Sequence, residues 1–75
     1  MKDRISITML ENGIADVRLI RADKMNALDT AMWEALAEAV DQLKATPGLR
    51  VVILSGEGRA FCAGLDLSSL GDDRD

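Results

Sequence analysis

Histidine is absent from the sequence, which removes the commonest metal ligand and the commonest general base. Whatever chemistry the chain performs must use carboxylates or backbone groups, and no metal site is expected. A single cysteine, Cys62, excludes an intramolecular disulfide, so no covalent brace compensates for a small core. Aromatic residues are 3% of the chain, represented by Trp33 and Phe61, and the stacking platforms of single-stranded nucleic-acid binders are missing. A formal net charge of -4 also opposes a phosphate backbone, so no nucleic-acid partner is expected. No apolar run reaches the ~20 residues of a membrane-spanning helix. Met1-Lys2-Asp3-Arg4 leads into alternating residues rather than a signal-peptide apolar block, so the expectation is a cytoplasmic protein with no membrane partner.

What is present is the composition of a globular protein: 48% hydrophobic and 29% charged residues in a chain of 75. That length allows one small domain at the low end of what a hydrophobic core stabilises. Ile5, Ile7 and Met9 alternate with Ser6 and Thr8, Asn12-Gly13 supplies a tight turn, and Ile14 to Ile20 resumes the alternation. Val17 and Leu19 fall on one face, Asp16 and Arg18 on the other, so the opening reads as a β-hairpin. Asp29 or Thr30 is suited to cap a following helix. Met32, Trp33, Leu36, Ala39, Val40 and Leu43 then recur at helical spacing as the apolar face, with Trp33 assigned to the core. Pro47-Gly48 ends that helix.

Val51-Val52-Ile53-Leu54 is a continuous apolar run, the pattern of a parallel strand covered on both faces. Strand, helix and strand make a βαβ crossover, and the following Ser55-Gly56-Glu57-Gly58-Arg59 lies at the strand end where ligands bind in α/β sheets. Asp66 to Leu70 has the character of a new helix, with Asp66 or Ser68 near its cap, before Gly71 and the charged run Asp72 to Asp75. One visible helix covers one face of such a sheet, so residues 1–75 are expected to be a partial domain with exposed apolar sheet surface.

Two segments carry a more specific signal. Asp23-Lys24-Met25-Asn26-Ala27-Leu28-Asp29 resembles the NALD-type loop of the crotonase superfamily, the enoyl-CoA hydratase/isomerase family. Val51 to Leu67, ending in Phe61-Cys62-Ala63-Gly64-Leu65-Asp66-Leu67, is similar to that family's strand-loop-helix signature. Their order, separated by one helix, makes the match specific. The resemblance covers nearly the whole chain but only the first third or so of a family member. It implies an α/β fold, the amino-terminal part of a crotonase-like ββα spiral: β-hairpin, helix, buried parallel strand, oxyanion-hole loop.

The resemblance further implies an enoyl-CoA hydratase or isomerase acting on acyl-CoA thioesters, in which the Leu65 backbone N–H is one of two oxyanion donors. Fixed backbone donors stabilise the charge that develops on a thioester carbonyl, and Ala63-Gly64 presents no bulky side chain against a ligand. Lys24, Ala27 and Leu28 on one side and Ala63, Gly64, Leu65, Asp66, Leu67 and Ser68 on the other would line the coenzyme A site. Backbone groups around Ala63 and Leu67 would meet the adenine, and Lys24 or Arg21 would pair with a phosphate. Where many relatives carry proline after the arginine of the first loop, this chain has Ala22. Coenzyme A enters as part of the substrate, with no other cofactor, and relatives form trimers or hexamers. The second oxyanion donor and the glutamates that move water and proton lie on later segments.

Plainer readings stand beside these. Asn26 and Asp29 serve as turn-former and helix cap, the glycines as loop punctuation, and Cys62 as a reduced, buried thiol without a histidine to activate it. Asp66 caps a helix, pairs with Arg59 or orients the oxyanion loop. Beside the enzyme stand a non-catalytic acyl-CoA-binding family member and a truncated piece without activity of its own.

Overall fold

The structure is a computed structural model and describes residues 3–68. Strands β1 (Ile5–Met9) and β2 (Ile14–Leu19) form the expected hairpin, antiparallel from Ile5 opposite Leu19 to Met9 opposite Ala15. Its turn closes through the Leu10 N–H donating to the Ile14 carbonyl at 2.7 Å. Asn12 and Gly13 both take positive φ, 65° and 75°, which is the backbone that an Asn-Gly hairpin turn requires. A Cβ on Gly13 would also collide with the Gly48 carbonyl oxygen, so the turn seats directly against the exit of the following helix.

Helix α1 (Thr30–Lys44) follows, and β3 (Val51–Gly56) returns parallel to β2, from Val51 opposite Ile14 to Gly56 opposite Leu19. The sheet order is β1-β2-β3, so the crossover places β3 beside β2 and leaves it at the sheet edge. Asp29 is the N-cap, its carboxylate accepting from the Met32 N–H at 2.8 Å. The helix ends ahead of Pro47, and the Thr46 hydroxyl satisfies the Gln42 carbonyl at 2.7 Å.

Ile5, Ala15, Val17 and Leu19 from the sheet meet Met32, Ala35 and Ala39 from α1 in the core. The alanines on both surfaces let helix and sheet approach closely. Two expectations change here. Trp33 is 52% exposed, not core, because the buried line of the helix is Met32-Ala35-Ala39, flanked by Leu36 and Leu43; Trp33 and Val40 fall one step around the helix, outside that line. Val51 to Leu54 are 44–51% exposed rather than covered, because α1 packs on the β1 side of the sheet and no described element lies over β3. The exposed apolar sheet surface expected of a partial domain is therefore found on β3. Among the described residues no helix is long and apolar enough to cross a membrane.

Candidate functional site

At the carboxyl end of β3 the chain passes the loop that joins β2 to α1, and Asn26 holds the two together. Its side chain is fully buried: Oδ1 accepts from the Arg21 N–H at 2.8 Å, and Nδ2 donates to the Glu57 and Ala60 carbonyls, each at 2.9 Å. Met25 and Asn26 both lie in the left-handed region, with φ of 51° and 57°. Non-glycine residues there cost on the order of 1–3 kcal/mol each and persist only where surrounding contacts hold them; the three Asn26 hydrogen bonds do so. Gly56 makes the approach possible, since a Cβ there would collide with the Phe61 carbonyl oxygen and come within 2.7 Å of Asn26 Nδ2.

Beyond Phe61 the chain runs alongside the first loop. The Ala63 N–H donates to the Met25 carbonyl at 2.9 Å, the Leu28 N–H to the Gly64 carbonyl at 2.7 Å, and the Asp66 N–H to the Leu28 carbonyl at 2.9 Å. The last two bonds make a parallel bridge between Leu28 and Leu65. In such a bridge one residue supplies both hydrogen-bonding groups, here Leu28. The N–H and carbonyl of Leu65 consequently point to the side away from Leu28, while the N–H groups of Ala63, Asp66 and Ser68 are all engaged within the loop.

Charged groups sit behind this bridge. Arg21 Nη1 donates to Asp66 Oδ2 at 2.9 Å and to the Ala27 carbonyl at 3.1 Å, and lies 3.4 Å from Asp29 Oδ2. Asp29 also accepts from Arg4 Nη2 at 2.8 Å and Nε at 3.2 Å. The Arg4 hydrogen bonds, joined by the Met32 N–H and the nearby Arg21 charge, hold the Asp29 carboxyl down at about 2, and the same pairing raises Arg4. Asp66 Oδ1 accepts from the Ser68 N–H at 3.1 Å and its hydroxyl at 2.6 Å, capping the helical turn that begins at Leu67.

Between the two segments lies a cleft of about 440 Å³. One wall is Asp23, Lys24, Met25 and Ala27, and the other is Leu65, Asp66, Leu67 and Ser68. Six of the residues singled out in the sequence thus face one space. Leu28 instead packs half-buried against the core, and Ala63 and Gly64 stand behind the wall as its backbone support.

Three assignments resolve differently from the simplest sequence readings. Arg21 is 13% exposed and paired internally rather than standing at the cleft rim, whereas Lys24 is exposed and lines the cleft. Asp66 pairs with Arg21 rather than Arg59, whose guanidinium reaches Met25 Sδ at 3.6 Å. Asn26 is more than a turn-former: the sequence placed it in the NALD-type loop, but nothing in the sequence reported the carbonyls its amide holds. Cys62 is a free, half-buried thiol packed beside the core, its sulfur 3.5 Å from the Gly64 N–H.

The family model for enoyl-CoA hydratase/isomerase matches residues 9–74. The chain is 31% identical over 71 residues to the mitochondrial Delta(3,5)-Delta(2,4)-dienoyl-CoA isomerase of Rattus norvegicus, an alignment covering 95% of this chain and 22% of that protein. Among solved structures, an enoyl-CoA hydratase/isomerase from Xanthobacter autotrophicus Py2 superposes with a TM-score of 0.84 at 35% identity, covering 95% of this chain and 26% of that one. The enoyl-CoA hydratase of Mycobacterium tuberculosis H37Rv gives a TM-score of 0.83 at 33% identity, covering 92% and 31%. The chain spans about a quarter of the length of the curated relatives it matches. Its mixed sheet and helix match the amino-terminal part of these folds.

Proposed function

Because the chain belongs to the enoyl-CoA hydratase/isomerase family, the crotonase superfamily, we propose that it supplies one wall of an acyl-CoA site and one backbone donor of an oxyanion hole. The reaction is hydration or double-bond isomerisation of an enoyl-CoA through an enolate-like intermediate. The observation that carries this reading is the Leu28–Leu65 bridge, which engages the neighbouring N–H groups and turns the Leu65 N–H outward. A donor held by a rigid backbone needs no reorganisation when charge develops on the thioester oxygen, and such donors contribute roughly 10²–10³ in rate.

In this reading the cleft takes the coenzyme A portion. Lys24 at the rim offers a point charge to a phosphate, Ala27 and Leu65 an apolar surface, and backbone around Leu67 the polar groups for an adenine. Asp66, held by Arg21 and capping Ser68, is assigned support of the loop rather than proton transfer. The second donor and the carboxylates that move the proton belong to segments outside these 75 residues, and the substrate's own coenzyme A is the only cofactor this chemistry needs. Assembly as a trimer or hexamer belongs to the same reading.

Enoyl-CoA turnover by the whole protein tests it. Conversion of short- and medium-chain enoyl-CoAs to hydroxyacyl-CoA or shifted-double-bond products is expected. Tight binding of acyl-CoA with no turnover would place the protein among non-catalytic binders, and absence of both would end the reading.

A further inference from the structure

The Leu28–Leu65 bridge rests on two backbone hydrogen bonds, of 2.7 and 2.9 Å, outside any regular strand. Pairing that short is marginal in water and opens locally at low free energy. A donor that must hold its direction to well under an ångström requires something more. The Arg21 guanidinium lies where it can provide it. Nη1 contacts Ala27, which precedes one bridge partner, Asp29, which follows it, and Asp66, which follows the other.

These contacts are not a rim ion pair. The side chains of Arg21 and Asp66 are each 13% exposed, so solvent screens them little and their hydrogen bond is charge-assisted. Both carboxylate oxygens of Asp66 are oriented, one by Arg21 and the other by Ser68. Arg21 is itself anchored, because its backbone N–H donates to buried Asn26.

We infer that Arg21 is a positioning residue, whose guanidinium clasps the residues flanking the Leu28–Leu65 bridge and thereby aims the Leu65 N–H. The inference rests on the proposed oxyanion role of Leu65. In this role Arg21 orients the donor and does not touch the substrate.

The test uses the whole protein with Arg21→Gln and Arg21→Lys, read in two ways. Without ligand, amide hydrogen exchange of Leu28 and Asp66 is expected to quicken by about tenfold or more in R21Q, while β1–β2 amides keep their native rates. With a carbonyl-¹³C enoyl-CoA bound, the infrared shift of the thioester carbonyl is expected to shrink. In parallel kcat should fall about a hundredfold, with KM within about threefold, as for an ångström-scale misplacement. R21K, which keeps the charge between Asp66 and Asp29, is expected to recover part of both and serves if R21Q does not fold. Unchanged exchange at Leu28 and Asp66 would overturn the clamp, whether or not any thioester is turned over. Faster exchange with a native carbonyl shift and native kcat would overturn the positioning role. A native protein that binds enoyl-CoA with no carbonyl shift would instead overturn the oxyanion reading, and the role of Arg21 with it.

Discussion

Asn26 concentrates more structural consequence than any other polar side chain described. It satisfies one donor and two acceptors that the fold buries, and it holds two consecutive left-handed residues in place. Asn26→Ala should destabilise the protein by about 3 kcal/mol, because each orphaned buried group costs roughly 1–3 kcal/mol. Asn26→Asp should be at least as damaging at neutral pH, since it turns a carboxylate oxygen toward the Glu57 and Ala60 carbonyls. Urea unfolding of the two variants checks both. Asp29 gives a pH signature. Its folded value of about 2 lies below the ordinary 3.8, so the unfolded chain takes up the proton first as pH falls. The stability it contributes is present above pH 3.8 and drains away between there and about 2. Asp29→Asn should flatten that part of the stability–pH curve, as measured by denaturant midpoints across the interval.

At the scale of elements, the hairpin, helix and third strand were legible because their signals are local: period-two alternation, an Asn-Gly turn, an aspartate cap, a proline stop. Trp33 was misplaced because helical spacing alone allows a wide apolar face, and only the position of α1 over β1 decides which line is buried. The two walls of the cleft were legible as motifs. Their joint was not, because the carbonyls bound by Asn26 lie 31 and 34 residues away and the carboxylate bound by Arg21 lies 45 away. No periodicity reports contacts at that range. The end of β3 belongs to this joint as well. Gly56→Ala should cost about 1–3 kcal/mol or more through overpacking against the Phe61 carbonyl and the Asn26 amide. A thermal midpoint indistinguishable from native would show that the two loops are not pressed together there.

Taken whole, the described residues bury one face of a hairpin under a helix and leave β3 open, with Val51 to Leu54 about half exposed at a sheet edge. An apolar edge strand invites pairing with another chain. Residues 1–75 alone should therefore self-associate, and Ile53→Lys should shift sedimentation toward monomer; a monodisperse native species would contradict this. Under the proposed function this chain holds one side of an acyl-CoA site. The decisive test of that half-site uses the whole protein with Leu65→Pro beside Leu65→Ala. Proline removes the N–H, which the bridge does not use, and alanine keeps it. L65P should lose roughly 10²–10³ in kcat while acyl-CoA binding persists and L65A stays close to native. Equal activity in L65P and L65A, with both folded, would show that Leu65 donates nothing to the reacting thioester.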